Sequence, residues 1–221
     1  MKYYIFLSLC LLISINSFNL RSTKQYYDSY VMSLYWVNGY CKEYNCTNPD
    51  LDKLEPNILT IHGLWPSLKS GKMLDPCTSG VKIEETDPEL FSELKKSWTT
   101  FYGTYTDFWE HEYNKHGYCM VQEYNWDGYE DYFRFTNNLY KGLFKNIIQQ
   151  VYHYDSKSRV VTVYKELFQL RLRKIMKNAT IKMLCKNWYI TEIYFYLNKD
   201  FSASPDSSFS EDCKIGNLIF K

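Results

Sequence analysis

Three stretches of the chain place apolar residues in the patterns of buried β-strands. Residues 30–36 alternate two sets of side chains with the period of a strand, and residues 58–61 form a second apolar run. This run ends at His62, and we expect a turn there because a glycine follows. Residues 181–197 alternate β-branched and aromatic side chains, which predicts two strands around Asn187.

Helical spacing dominates the middle of the chain. Asp87 and Pro88 predict the start of a helix, because a polar cap and a proline in the first turn favour one, and apolar residues then follow at helical spacing. The same spacing predicts a helix over residues 105–117 ended by Gly117, a helical pair over residues 129–152 broken near Gly142, and a helix over residues 162–176.

Two segments lack any hydrophobic period. Residues 41–56 and 67–80 are rich in polar residues and proline, so we expect loops there, the first closed by its own cysteines. The chain shows no internal repeat, linker or low-complexity tract. We therefore expect residues 18–221 to form one α+β domain, in which helices pack on a central, mainly antiparallel sheet that is stapled by disulfides.

Composition excludes several classes of protein. Of 221 residues, 19% are aromatic, including 22 Tyr, which excludes a disordered or collagen-like chain. The 26 basic and 25 acidic residues leave a formal charge of +1, so no global positive field attracts nucleic acid. Any phosphate group must be bound locally.

The first 17 residues have the pattern of a cleaved signal peptide. Lys2 precedes an apolar run over residues 5–15, and a small residue, Ser17, stands where signal peptidase would cut. The alternative, a membrane anchor, needs about 20 apolar residues, and this run is shorter. We expect a secreted, lysosomal or vacuolar protein with no membrane attachment after cleavage.

The cysteines agree with an oxidising compartment. Cys10 leaves with the signal peptide, and an even set of cysteines remains, which predicts three disulfides but leaves 15 pairings open. A zinc site at Cys41 and Cys46 lacks a second pair of ligands nearby. Asn45 and Asn178 begin N-glycosylation triplets. The six remaining cysteines are Cys41, Cys46, Cys77, Cys119, Cys185 and Cys213.

Three of the four histidines lie in two short segments, residues 60–66 and 108–117. On a helix, the second segment would place four titratable residues within an arc of roughly 140°, with Trp109 and Tyr113 opposite. A solvated polar face is the ordinary explanation for such an arc, but two histidines gain nothing there. The four residues of this arc are His111, Glu112, Lys115 and His116.

Other hydrolase chemistries fit less well. A helical zinc motif needs histidines four residues apart, whereas His111 and His116 are five apart. No Gly-x-Ser-x-Gly motif occurs, and the cysteines are expected to be oxidised. Cleavage of RNA through its own 2′-hydroxyl needs two proton-transfer groups and a cation but no metal. Histidine suits both proton transfers, because its pKa is near 6.5.

The two segments resemble the paired active-site motifs of the ribonuclease T2 family, the secreted or vacuolar acid endoribonucleases. Residues 62–66, His-Gly-Leu-Trp-Pro, are similar to the first motif without a substitution, and residues 108–119 are similar to the second. The resemblance extends to Trp36 with Cys41, to Cys77 and to the strands around Cys185, and so covers nearly the whole mature chain.

The resemblance implies a role for each matched residue. His116 would be the general base, His62 the general acid, and His111 a phosphate ligand, while Glu112 and Lys115 would stabilise the phosphorane. The substrate would be single-stranded RNA, and the product a 2′,3′-cyclic phosphate and then a 3′-phosphate. Cleavage would have low base specificity and need no metal or cofactor. We expect the protein to be a monomer. The implied disulfides are Cys41–Cys46, Cys77–Cys119 and Cys185–Cys213.

Base recognition is where the sequence departs from the family pattern. Trp65 and Phe108 are expected to bind bases, although either could instead be a core residue. At four positions the usual family residue is replaced, and His153 lacks an acid–base partner in sequence, so we interpret it as structural. The four replacements are Tyr35, Ser67, Tyr113 and Tyr118.

A secreted binding or signalling protein of the same fold is the alternative function. Such a protein need not keep two proton-transfer histidines, so the intact set at positions 62 and 116 favours the enzyme.

Overall fold

The alternating apolar pattern of the first strand places it in the middle of a sheet. A computed structural model describes residues 26–70, 77–152, 160–205 and 213–219. Their elements in chain order are β1 (Ser29–Trp36), α1 (Val37–Glu43), β2 (Leu59–Ser67), α2 (Pro88–Ser97), α3 (Tyr105–Glu112), α4 (Tyr118–Tyr124), α5 (Tyr129–Leu139), α6 (Ile147–Val151), β3 (Val160–Tyr164), α7 (Lys165–Leu172), β4 (Ile181–Lys186), β5 (Tyr189–Asn198) and β6 (Ile215–Ile219).

The described strands form one sheet in the order β2-β1-β5-β6-β3, and β4 also pairs with β5. All pairs are antiparallel except the pairing of β5 with β6. All eight residues of β1 are buried, because Tyr30, Met32 and Leu34 join the core beneath the helices while the alternate side chains face the other side. The predicted α+β class with a mainly antiparallel sheet is confirmed. None of the described helices is long and apolar enough to cross a membrane.

The turn predicted at His62 is wrong, because β2 continues through it to Ser67. Ser33 pairs with Gly63 and Leu34 with Ile61, so His62 is the extra residue of a β-bulge. A bulge bends a strand locally and redirects a side chain, and bulges often lie beside active sites. The first functional motif is therefore held in the sheet by the pairing of β2 with β1 and not by a turn.

The helix predicted over residues 105–117 does not end at Gly117. It passes from α3 through a π-helical turn (Tyr113–Gly117) into α4, and a left-handed Asn125 ends it instead. Gly117 itself has helical geometry, and a Cβ there would meet Tyr132 and Tyr113 within 3 Å. The glycine therefore permits close packing of α5 and is not a stop signal.

The remaining predictions are partly confirmed. Asp87 caps α2 as predicted, accepting hydrogen bonds from the backbone of Glu89 (3.1 Å) and Leu90 (3.0 Å). The predicted pair over residues 129–152 is α5 and α6, joined by a π-helical turn (Tyr140–Phe144) that contains Gly142.

Two predictions fail at segments stabilised by distant partners. Residues 162–164 of the helix predicted over 162–176 belong to β3, because the β-branched side chains of this strand pair with β6, and only Lys165–Leu172 is helical. The loop predicted from residue 41 begins inside α1, and it contains a 3₁₀ turn over Pro49–Lys53. Residues 1–17 and His153 lie outside the described residues.

Three disulfides join Cys41 to Cys46, Cys77 to Cys119 and Cys185 to Cys213, which is the pairing that the family resemblance implies. The second closes a loop of 42 residues, for which the chain-entropy model gives about 4 kcal/mol of stabilisation. The backbone N–H of Cys77 also donates to the carbonyl of Lys115 (2.9 Å), and the Asn114 side chain bonds both backbone groups of Val81. The segment from Cys77 to Val81 therefore holds the π-helical turn in place.

Candidate active site

The face of the sheet opposite the main core carries the polar groups of the site. His62 leaves β2 at the bulge, and its backbone carbonyl accepts a hydrogen bond from the Trp98 indole (2.8 Å). Tyr35 of β1 stacks on the His62 ring with the ring centroids 4.3 Å apart. The backbone of His62 is thus fixed by a hydrogen bond, and one face of its imidazole is covered by an aromatic ring.

Two carboxylates flank the His62 ring. Glu192 of β5 lies 2.6 Å from Nδ1, and Glu112 of α3 lies 3.5 Å from Nε2, while the His62 side chain is 21% exposed. Burial alone would lower the pKa of His62, but the charges of Glu112 and Glu192 outweigh burial and raise that pKa to about 10. His62 is therefore an imidazolium across the neutral and acidic range.

Glu112 is almost completely buried and joins three parts of the site. Its Oε2 accepts a hydrogen bond from the Trp65 indole (2.7 Å), and its Oε1 faces His62. Burial alone would raise the pKa of Glu112, yet the charges of His62 and His116 and the Trp65 hydrogen bond keep it below its usual range. The buried carboxylate is therefore ionised together with its partner.

His116 reaches the same place from the π-helical turn. Its ring centroid lies 5.2 Å from that of Trp65, with the planes tilted by 35°. Burial lowers the pKa of His116 to about 4; Glu112 opposes this change, whereas His62, Lys115 and His111 add to it. Two histidines with pKa values shifted in opposite directions lie around one carboxylate, which is the arrangement that a general acid and a general base require.

The other predicted site residues lie closer to solvent. His111 and Lys115 are both exposed, and both lie near enough to His116 to affect its pKa. The Phe108 ring lies 5.9 Å from that of His62, nearly parallel to it. Within the described residues, no group of three or more His, Cys, Asp or Glu side chains could hold a metal ion.

Trp65 is only 6% exposed, because its ring packs against His62, His116 and Tyr194. This packing leaves little of the indole free for a stacked base. Base binding by Trp65 and Phe108 stays a prediction. In the structure the indole N–H of Trp65 donates a hydrogen bond to Glu112 and so orients its carboxylate.

The sequence reasoning missed Glu192 and Ser33. The Ser33 hydroxyl donates a hydrogen bond to Glu192 Oε1, the same oxygen that His62 approaches. A signal was present, since Glu192 is the only charged residue inside a strand of mainly apolar and aromatic side chains. An acid buried in such a strand needs a partner.

The sequence of the chain, compared with known protein families, matches one of them. The model of the Ribonuclease T2 family matches residues 27–213. The chain belongs to the ribonuclease T2 family. Among T2 relatives, ribonuclease DdI of Dictyostelium discoideum is 32% identical over 95 residues, 43% of this chain and 41% of the relative. Ribonuclease 3 of Arabidopsis thaliana is 30% identical over 128 residues, 56% of this chain and 55% of the relative.

This T2 chain thus spans about half the length of the curated relatives it matches. The structural similarity covers a larger part of the chain than these sequence matches do. An RNase-related protein from Calystegia sepium superposes with a TM-score of 0.73 at 19% identity, covering 89% of this chain and 99% of that structure.

Proposed function

We propose that this member of the ribonuclease T2 family is an endoribonuclease that cleaves single-stranded RNA by transphosphorylation, without metal or cofactor. The observation that carries the proposal is the pair of histidines around Glu112, with the pKa of His62 raised to about 10 and that of His116 lowered to about 4. One ring is charged and the other neutral over the whole range between these values, so both proton transfers are available at once.

In the first step the neutral His116 takes the proton of the ribose 2′-hydroxyl. The 2′ oxygen forms a bond to phosphorus, the bond from phosphorus to the 5′ oxygen breaks, and His62 protonates that leaving oxygen. The products are a 2′,3′-cyclic phosphate and a free 5′-hydroxyl. In the second step water opens the cyclic ester to a 3′-phosphate, with the two histidines in exchanged roles.

The charged groups near the histidines divide the remaining tasks. Lys115 and His111 are exposed at the mouth of the site and suit the non-bridging phosphate oxygens. Glu112 is buried and ionised, so we assign it a different part from the phosphorane stabiliser that the family resemblance implies. Its carboxylate keeps His62 protonated and fixes the Trp65 indole.

The decisive experiment compares a defined short RNA with its all-2′-deoxy analogue at about pH 5 in excess chelator. Cyclic and 3′-phosphate ends are expected from the RNA alone, because only RNA carries the internal nucleophile. Mass spectrometry of the products reads both the end chemistry and the cut sites. Intact RNA after incubation with folded, disulfide-bonded protein would contradict the proposal.

The pH dependence of cleavage follows from the same two groups. A plot of kcat/KM against pH should rise as the pH passes about 4, where His116 loses its proton, and fall as it passes about 10, where His62 loses its proton. Initial rates on a dinucleoside monophosphate would trace both limbs. A falling limb near the ordinary histidine pKa of 6.5 would show that the two carboxylates do not hold the proton on His62.

We also propose that the protein acts outside the cytosol, secreted or in a lysosome or vacuole, as a monomer. Three disulfides support an oxidising compartment. Asn45 and Asn178, which begin the two glycosylation triplets, are both exposed and so are accessible to glycan transfer.

A further inference from the structure

Glu192 lies in the interior of β5 and is the only charged residue of that strand. A carboxylate in such a place is costly unless it is paired and hydrogen-bonded. Here one oxygen, Oε1, accepts a hydrogen bond from the Ser33 hydroxyl and lies 2.6 Å from Nδ1 of His62. The Glu192 side chain is only 12% exposed, so water screens this ion pair weakly.

We propose that Glu192 is the positioning residue of His62, fixing the ring so that its Nε2 proton points to the leaving oxygen of RNA. The proposal rests on the function proposed above and assigns the orientation of its general acid to a residue outside both family motifs. Glu192 itself does not touch the substrate.

The geometry explains why one carboxylate can do this. When Nδ1–H donates to Glu192, the other ring nitrogen, Nε2, points away from Glu192. The distance from Nε2 to Glu112 Oε1 is 3.5 Å. Ser33 holds Glu192 Oε1 from β1, and Tyr35 of the same strand stacks on the ring. Rotation of the imidazole would break the short hydrogen bond and the stacking together.

Among the described residues, four titratable groups face His62 from the elements packed around it. Glu192 comes from β5, Glu112 from α3, His116 from the π-helical turn and Tyr35 from β1. Only the two glutamates carry a charge that favours the imidazolium. Both charges raise the His62 pKa, that of Glu112 more than that of Glu192, and Glu192 also contacts Nδ1 at 2.6 Å, so its removal should lower this pKa even with Glu112 intact.

The test compares Glu192→Gln with Glu85→Gln, a matched control that breaks only a surface ion pair with Lys95. NMR titration of ring-labelled histidine, with the His62 signal assigned by its loss in His62→Asn, measures the His62 pKa independently of activity. In Glu192→Gln this pKa should fall by about two units, because an opposite charge within 4–6 Å shifts a pKa by about one to three units. The control should leave it unchanged.

Kinetics on two substrates then separate a positioning role from a structural one. On a dinucleoside monophosphate, Glu192→Gln should lower kcat by roughly tenfold or more with little change in KM, and the alkaline limb of the pH profile should move to lower pH. On a nucleoside 3′-(p-nitrophenyl phosphate), the leaving group needs no protonation, so the loss should be no more than about threefold. Retained activity on this ester also shows that the variant is folded.

The outcomes distinguish the two proposals. An unchanged His62 pKa in Glu192→Gln, or equal losses on both substrates, would overturn the positioning role. A wild-type protein that cuts no RNA would contradict the proposed function. A lowered His62 pKa in Glu192→Gln would in that case still support the contact between Glu192 and His62. If Glu192→Gln does not fold, Glu192→Asp takes its place: withdrawing the carboxylate by one methylene must still lower the His62 pKa, and an unchanged value would overturn the proposal.

Discussion

His116→Ala should lower kcat/KM for RNA cleavage by roughly 10²–10⁴-fold, the contribution of a positioned general base. The physical reason is the low pKa of His116, about 4, which leaves its nitrogen free to accept the 2′-hydroxyl proton at any pH above that value. His62, the other histidine beside Glu112, cannot replace it, because His62 is held as an imidazolium. Rates on a dinucleoside monophosphate at pH 5 measure the loss.

Added imidazole provides the control for this substitution. A small base that enters the space left by the ring should restore part of the activity of His116→Ala, and it should have no effect on the wild type. Thermal unfolding should show that the variant remains folded. A variant that keeps more than about a tenth of the wild-type rate would remove His116 from the role of general base.

Gly63→Ala should destabilise the protein by about 3 kcal/mol or more and abolish cleavage. A Cβ on Gly63 would overlap the Trp65 indole nitrogen and the Glu112 carboxylate, which are hydrogen-bonded to each other at 2.7 Å. Overpacking costs about 1–3 kcal/mol, and separating a buried charge from its partner costs about 3–5 kcal/mol. The new methyl group must therefore push Glu112 away from Trp65, and with it the charge that supports His62.

Gly142→Ala is the matched control for this prediction. Gly142 is exposed in the π-helical turn after α5, and apart from its chain neighbours and the backbone of its own helical turn no described atom lies within 4 Å of the position that its Cβ would take. This substitution should keep full activity and change stability by no more than about 1 kcal/mol. Denaturant unfolding and RNA cleavage of both variants measure the difference, and equal effects of the two alanines would refute the close contact at Gly63.

The elements that the sequence predicted correctly are those that depend on neighbours in the chain. The alternation in residues 30–36 and the cap at Asp87 are local signals, and both agree with the structure. Residues 162–164 were predicted as helix because the pairing of β3 with β6 is not visible locally. The bulge at His62 likewise depends on the register of β1 against β2, which spacing within one strand does not reveal.

The candidate site divides along the same line. His62, Glu112 and His116 lie in two short motifs, and the structure brings them together around Trp65. Glu192 has no motif, and its place beside His62 follows only from the strand order β2-β1-β5. The continuation of the helix past Gly117 also depended on tertiary packing, since Tyr132 of α5 is what requires the glycine.

The distance along the chain between His62 and Glu192, 130 residues, has a consequence during protein synthesis. A ribosome releases both family motifs long before β5, and until then β1 lacks one of its two neighbours in the sheet. The general acid can therefore be oriented only when nearly the whole catalytic fold has been translated. A nascent chain that is still attached to the ribosome would thus carry an incomplete active site.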